Sequence, residues 1–329
     1  MTLSRIRPLL AKVGINGFLL GLFIAIFLGW LFPTFGSTDS GFPWRIIINL
    51  GIGLVFFFYG VKLNPTQLIV GLKNWKLHLL IQLTTFLLFP ALVWVFLKFS
   101  PWIPDDFRLG ISYLSVLPST VSASVVMVSI ARGNIPAAIF NASISSLIGV
   151  VITPAWMGIL GEASGIPIDF TSTLIELTFK VILPVLAGLA LHGVIFPKIA
   201  NQISKLKYFD QSVIMVIVFT SFAQSFAQEV FSPHRLSTLF MISISMLGLF
   251  FLVWLFVYLL SKILGFQLED RITALFCGSK KSLVQGVVIG KVIFPDPAIL
   301  GLVLLPVMLY HIQQLIAGSV IASWFERKK

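Results

Sequence analysis

Two adjacent lysines, Lys280 and Lys281, lie in a short polar segment between long apolar stretches. The segment runs from Gly278 to Gly286 and also contains Ser282. A charged side chain at membrane depth costs about 3 kcal/mol on insertion scales, so a lysine pair there indicates a functional site. Glycines at both ends indicate an interrupted helix, whose free backbone groups must face protein or a water-filled cavity. This segment is therefore the first candidate for a binding site.

A second polar segment follows Pro118, which removes a backbone donor and disfavours helical conformation at Leu117. Small hydroxyl residues come directly after it: Ser119, Thr120, Ser122 and Ser124. Single hydroxyls in a membrane helix often only pack against neighbours, but a cluster just after a break favours the lining of a cavity. A half-helix that begins here points its positive dipole end toward that cavity, which favours an anion.

Further polar candidates lie nearby in the chain. Asn141 and Ser145 are four residues apart and share a helix face, either as contacts between helices or as part of the site. Lys281 and Gln285 have the same spacing, and we expect Lys281 to face inward while its neighbour can reach an interface. His311 can titrate near neutral pH, although a lone helix histidine more often only packs. No motif of soluble catalysis and no intramembrane aspartate pair appears, so we do not predict an enzyme.

The composition is that of a polytopic membrane protein, with the lipid bilayer as its surroundings. Of 329 residues 57% are hydrophobic and 11% charged, and the mean hydropathy is +1.01; soluble domains carry about 25% charged residues. We attribute the net charge of +11 to lysines and arginines in cytoplasmic loops rather than to nucleic-acid binding. The single cysteine, Cys277, excludes an intramolecular disulfide, and no metal cluster is predicted.

We predict ten membrane spans, each of roughly 20 mostly apolar residues. They cover residues 14–32, 46–61, 77–97, 109–131, 136–160, 170–196, 212–228, 236–264, 272–294 and 297–324. With both termini in the cytoplasm, fifteen lysines and arginines fall in inside segments and five in outside segments. This bias follows the positive-inside rule and predicts a multi-pass protein of the cell membrane, inner or plasma.

Ten spans divide into two halves of five, residues 1–161 and 162–329. An odd number of spans in each half inserts the second half upside down relative to the first. Both polar breaks fall in the fourth span of their half, and matched interrupted segments are typical of a secondary transporter's site. We therefore predict an all-α protein made of two inverted five-helix repeats in a single membrane domain.

Three stretches resemble the bile acid:sodium symporter superfamily, specifically its divergent branch related to member 7 of solute carrier family 10. The stretches are residues 60–78, residues 117–134 with Thr153-Pro154 after them, and residues 276–282. The resemblance covers nearly the whole chain. It implies ten helices arranged in a core and a panel domain, with discontinuous, crossing fourth and ninth helices. It also implies secondary transport of an organic anion by alternating access.

The chain departs from this family at its sodium ligands. The family places a glutamate and a glutamine in a Glu-x-Gly-x-Gln pattern on the ninth helix; here Lys281 stands for the glutamate and Gln285 keeps the glutamine. A Ser-Asn pair of the fourth helix falls on Ala123 and Ser124, so the asparagine is absent. An ammonium in place of a carboxylate makes sodium electrostatically unfavourable there. Our hypothesis is that Lys281 replaces the missing cation, held by carbonyls and Gln285, or that it attracts the substrate's negative group.

Several alternatives stay open at this point. Coupling to sodium is doubtful, and a proton carried by Lys281 or His311, or no coupling ion, are the other possibilities. We expect no other cofactor, a small organic anion as substrate, and a monomer or homodimer. A membrane regulator without its own flux is the alternative from another class, and it would show neither substrate-dependent stabilisation nor countertransport. A channel ranks third, because the sequence has no ring of charge or filter.

Overall fold

The computed structural model describes residues 17–63, 74–163, 170–232 and 235–328, and this part of the chain is helical without strands. The all-α prediction is confirmed. Some predictions concern residues outside these ranges: the basic N-terminal segment, the first residues of the first span, and most of the family-like stretch at residues 60–78.

Twelve helices of at least 9 residues form most of the described part of the chain. They are α1 Gly17–Leu31, α2 Trp44–Lys62, α3 Trp75–Lys98, α4 Asp105–Val116, α5 Ser122–Ile130, α6 Ile135–Ala163, α7 Thr171–Ala190, α8 Ile203–Ala227, α9 Leu236–Ile263, α10 Leu268–Gly278, α11 Leu283–Ile293 and α12 Pro297–Lys328. Eight stretches are long and apolar enough to cross a membrane, with α10 and α11 together forming one of them. In its described part α1 has 15 residues, and the predicted fourth span is divided between α4 and α5. The prediction of ten spans is therefore met only in part.

Both predicted helix interruptions occur. The first break lies between α4 and α5, where Leu117 is extended with ψ 149° because Pro118 excludes helical conformation before it. The second break lies between α10 and α11, and the Ser282 hydroxyl there accepts the Gln285 N–H at 3.3 Å. The expectation that Gly286 bounds this break is wrong. Gly286 lies inside α11, where a Cβ would stand 2.7 Å from Leu117 Cδ1, so the missing side chain permits a close approach instead.

Two helices contain a wide turn just before an internal proline. In α3 the turn Thr84–Leu88 precedes Pro90, and in α7 the turn Thr178–Ile182 precedes Pro184. Proline cannot donate to the carbonyl of the turn before it, so such turns release carbonyls for other partners. In α3 this has a direct consequence for the site described below.

The helices pack in two groups. The smaller group contains α1 against α8 and α2 against α7. The contact of α2 with α7 brings backbones together, since a Cβ on Gly60 would lie 2.1 Å from Val185 O and one on Gly188 would lie 2.0 Å from Phe57 O. Small residues allow such close crossings between membrane helices. The remaining eight helices form the larger group, which contains both breaks.

The outer surface is apolar and the interior holds polar groups. Leu20, Phe23 and Phe27 of α1 are 58%, 51% and 56% exposed, while serines and lysines at the breaks are buried. This reverses the arrangement of a water-soluble protein, where charged residues stay outside. Together with the eight apolar stretches, it identifies an integral membrane protein.

Candidate functional site

The two helix breaks touch each other. The Ser282 N–H of the second break donates to Pro118 O of the first at 2.8 Å. The Ser119 hydroxyl donates to Cys277 O at the end of α10 at 2.6 Å. Two interrupted segments, far apart in sequence, therefore satisfy part of each other's free backbone.

Side chains of the following helix α6 hold the first break. The Ser145 hydroxyl accepts the Ser119 N–H at 2.9 Å, and the Thr153 hydroxyl donates to Val116 O at 2.8 Å. An unpaired backbone group in the interior of a membrane protein costs on the order of 4 kcal/mol. Ser145, which the sequence predicts as a site residue, therefore holds the backbone of the first break.

Side chains of the following helix α12 hold the second break in the same way. The Tyr310 hydroxyl donates to Ser279 O at 2.6 Å. The Gln314 side chain pairs with both backbone groups of Lys281: its Oε1 accepts the N–H at 2.8 Å and its Nε2 donates to the carbonyl at 2.7 Å. One amide thus fixes the backbone of Lys281.

The Lys281 ammonium donates to three backbone carbonyls. They belong to Thr85, Ser115 and Leu117, at 2.7, 2.6 and 2.8 Å. The Phe89 ring covers the ammonium, with its centroid 4.2 Å away, and the residue is 1% exposed. Within the described residues no carboxylate forms an ion pair with it. The prediction that Lys281 faces inward agrees with this burial.

Each carbonyl around Lys281 lacks a partner within its own helix because of a nearby proline. The carbonyls of Ser115 and Leu117 stand at the end of α4, which Pro118 terminates, so no next turn bonds to them. They also form the negative end of that helix dipole. The carbonyl of Thr85 lies in the wide turn Thr84–Leu88 of α3.

The neighbouring lysine is buried as well but has poor partners. Lys280 is 0% exposed, so neither lysine of the pair reaches an interface. Its ammonium contacts the Met127 sulfur, lies 3.4 Å from Ala123 O and stands 5.3 Å from the Phe276 ring centroid. In the described part of the chain no carboxylate pairs with it. An ammonium with three donors and one distant oxygen is far from saturated.

The hydroxyl cluster after Pro118 splits in two. Thr120 Oγ1 and Ser124 Oγ share a hydrogen bond of 2.8 Å, and Ser124 also donates to Phe276 O at 3.2 Å. These residues face the second break. Ser122 lies on the opposite, exposed face of α5.

Asn141 connects α6 to α3 one turn away from Ser145. Its Nδ2 donates to His78 Nδ1 at 2.8 Å and to Ala137 O at 2.9 Å, and its Oδ1 accepts Gln82 Nε2 at 3.2 Å. The structure therefore brings Asn141 to the flank of the site, through contacts between helices.

Gln285 and His311 occupy different places from those expected. The Gln285 side chain is not a partner of the Lys281 ammonium, and its Oε1 is buried without a hydrogen-bond donor in the described chain. His311 reaches the site indirectly, since its Nδ1 accepts Gln314 Nε2 at 2.8 Å. It thus buttresses the glutamine that holds Lys281.

Sequence reasoning did not assign roles to Tyr310, Gln314 or the Thr85 carbonyl. Gln314 does give a sequence signal, because it forms a polar cluster with His311 and Gln313 inside the last apolar span. Pro90, five residues after Thr85, indicates an irregular turn in α3. A tyrosine hydroxyl that meets a carbonyl 31 residues away has no comparable sequence signal.

The half-helices after the two breaks have different surroundings. Nine of the eleven residues of α11 are buried, and α11 packs against α7 and α8 of the smaller group. In α5 three of nine residues are buried, and one face with Ser122, Val126 and Ser129 is exposed. Ile130 is exposed on the same side, so this face mixes two serines with two apolar residues.

Comparison with known proteins gives consistent matches along the chain. The model of the SBF-like CPA transporter family matches residues 16–327. An uncharacterized protein of Pseudomonas aeruginosa is 36% identical over 316 residues, covering 95% of this chain and 94% of the relative. The putative symporter YfeH of Escherichia coli is 31% identical over 322 residues, with coverage of 95% and 94%. Sodium/bile acid cotransporter 7 of Xenopus tropicalis is 30% identical over 325 residues, with coverage of 96% and 94%.

Proposed function

The chain belongs to the SBF-like CPA transporter family, and from this premise we propose that it is a secondary active carrier of an organic anion, working by alternating access. The family resemblance expected from the sequence is confirmed, and its members are transporters rather than enzymes. One observation carries the proposal. Around two touching helix breaks, the half-helix α11 is closed off by the smaller helix group while α5 has an open face.

The arrangement of helices supports two inverted repeats. If each helix of the first half corresponds to one of the second, the contact of α2 with α7 has its counterpart in the contact of α8 with α1. Likewise α6 stabilises the first break as α12 stabilises the second. We assign the smaller group as the panel and the larger as the core, with repeats at residues 1–161 and 162–329. With both termini in the cytoplasm, the open face of α5 lies on the cytoplasmic side.

The charges at the start of α5 support an anionic substrate. The first turn of α5 begins at the break, so its free N–H groups carry the positive end of the helix dipole. Lys280, whose ammonium lies beside Ala123 of the same turn, adds a cation that lacks a carboxylate partner in the described chain. Both features attract a carboxylate, sulfonate or phosphate and repel a cation.

Sodium does not fit the position where the family places its glutamate. A sodium ion needs several oxygen ligands, and the ammonium of Lys281 already uses the three carbonyls there. We therefore propose that transport is independent of sodium. Restoring the glutamate with Lys281→Glu should make melting of the purified protein respond to sodium over choline, whereas the native chain should ignore the exchange. A native chain that sodium stabilises would contradict this assignment.

Counterflow in proteoliposomes tests transport itself. Liposomes loaded with unlabelled taurocholate, citrate or glycerol 3-phosphate would take up the labelled form of the same anion faster with the protein than without it. Val126→Trp, which fills the open face of α5, should abolish exchange. Val95→Trp is the matched control, because Val95 of α3 is also exposed, at 44% against 56% for Val126. Neither stabilisation nor exchange with any of the three would instead favour a regulator.

A proton-coupled carrier is the second candidate, favoured by the position of His311 against Gln314. A protonated His311 could not accept this hydrogen bond and would disturb the backbone of Lys281. Proton coupling predicts that an imposed pH gradient drives uptake without sodium and that His311→Gln removes this effect. Uptake that ignores the gradient in the native chain would exclude the candidate.

A further inference from the structure

The carbonyls of Thr85, Ser115 and Leu117 together have the chemistry of a cation site. We infer that this carbonyl cage is a binding site for a primary ammonium ion, occupied by the protein's own Lys281, and that it accepts a free alkylammonium when that side chain is shortened. The inference deepens the proposed function, because a cation that is covalently tethered replaces a coupling ion that would dissociate in each cycle.

The cage matches an ammonium in number and charge. A lysine ammonium has three N–H donors and no acceptor, and the cage offers three oxygens at 2.6–2.8 Å. These are short, charge-assisted distances for a nitrogen donor. A neutral amine has two N–H groups and would leave one buried carbonyl unpaired. The Phe89 ring, 4.2 Å away, adds a cation–π contact on the remaining side.

The cage is assembled from separate parts of the larger helix group. One carbonyl comes from the wide turn of α3 and two from the end of α4, and the lysine comes from the second break. Replacing the ion's water shell by backbone carbonyls is also how potassium-selective filters hold their ions. Here the cation draws three segments together, so its charge stabilises the contact between the breaks.

Both ends of Lys281 are fixed, which distinguishes it from a mobile ligand. The ammonium is held by the cage, and the backbone N–H and carbonyl are held by Gln314. Lys280 provides an internal comparison within the same break. It is the same type of residue and is also fully buried, but its ammonium meets a thioether and one carbonyl at 3.4 Å.

Chemical rescue of Lys281→Ala tests the cage directly. Alanine retains Cβ, so n-propylammonium supplies the missing three carbons and the nitrogen. The purified variant in choline chloride should melt well below the native protein. Replacing choline by n-propylammonium chloride should restore most of the lost melting temperature in a saturable manner. Neutral n-propanol and tetramethylammonium, which has no N–H, should restore none of it.

The neighbouring lysine is the matched control. Lys280→Ala should gain no stability from n-propylammonium over tetramethylammonium, since no cage of carbonyls surrounds that ammonium. Equal stabilisation of both alanine variants, or equal effects of the two organic cations on Lys281→Ala, would overturn the inference.

A second variant keeps the test valid if Lys281→Ala does not fold. Lys281→Met has a side chain of nearly the same length without a donor, and it should melt below the native protein and below Lys280→Met. A Lys281→Met variant as stable as the native chain would also overturn the cage. None of these measurements requires transport. A chain that is rescued but shows no counterflow would refute only the carrier, and the reverse result would refute only the cage.

Discussion

The half-helices α5 and α11 begin at breaks of the same construction but are covered to different extents. Each break is stabilised by side chains of the next helix, and each contributes a backbone or hydroxyl group to the other. Yet α11 is almost wholly buried, whereas α5 exposes one face. The difference arises from the smaller helix group, which packs against α11 and leaves α5 uncovered. In the proposed carrier, the cover over two similar half-helices is therefore what alternates, while the breaks themselves stay together.

The largest expected effect concerns the polar support of the second break. Gln314→Leu leaves the N–H and carbonyl of Lys281 unpaired in the interior, at about 1–3 kcal/mol for each group. We expect a loss of about 2–6 kcal/mol in unfolding free energy, measured by denaturant or thermal melting in detergent. Gln313→Leu is the control, because Gln313 donates to Ser243 on α9 and is half-buried. Equal losses in both variants would contradict the special role of Gln314.

The first break should depend on close contact rather than on an amide. A Cβ on Gly149 of α6 would lie 2.7 Å from Pro118 Cβ and 2.8 Å from its Cγ, and the proline ring cannot turn aside. Gly149→Ala should therefore cost about 1–3 kcal/mol, as overpacking does elsewhere. Gly248→Ala in α9, where a Cβ meets nothing within 4 Å, should be neutral or stabilising. A Gly149→Ala variant as stable as this control would show that the break can shift.

The smallest expected effect separates two tyrosines. Tyr310→Phe removes the donor to Ser279 O in the second break, and Tyr113→Phe removes the donor to Gly286 O inside α11. A break carbonyl loses more than a helix carbonyl, so Tyr310→Phe should cost about 1–3 kcal/mol and Tyr113→Phe about 1 kcal/mol. Melting curves of the two variants test this order. The reverse order would show that the Gly286 carbonyl depends more on its tyrosine than the Ser279 carbonyl does.

Much of this site could be predicted from the sequence because its signals are local. Pro118 with the hydroxyls after it predicts the first break, and lysines within an apolar stretch predict the second. The partners could not be predicted. The contact of Lys281 with Thr85 O spans 196 residues, and no periodicity indicates which carbonyl an ammonium will meet. The spacing of Lys281 and Gln285 predicts a shared helix face, but Lys281 lies in the break and α11 begins only at Leu283, so the helical spacing does not apply to this pair.

The cover over the half-helices was also beyond sequence reasoning. The residues of α5 and α11 have similar small and apolar character, so their patterns do not indicate which one faces the panel. That choice depends on how two helix groups lie against each other. Gly301 of α12 illustrates the point, because a Cβ there would stand 2.1 Å from the Ser225 hydroxyl of α8. The closed side is thus formed by direct contact between the larger and the smaller helix group.

Cysteine labelling from water tests the alternation of this cover most directly. In a Cys277→Ala background, Val126→Cys on α5 and Ser221→Cys on α8 are 56% and 0% exposed at the native residues. A charged maleimide applied to proteoliposomes should label Val126→Cys fast and Ser221→Cys slowly. Gly301→Leu, which cannot fit against Ser225, should open the closed side and reverse this order. If the order is unchanged, or if Val126→Cys reacts no faster than the lipid-facing Phe23→Cys, the two half-helices do not exchange their cover and the proposed mechanism is wrong.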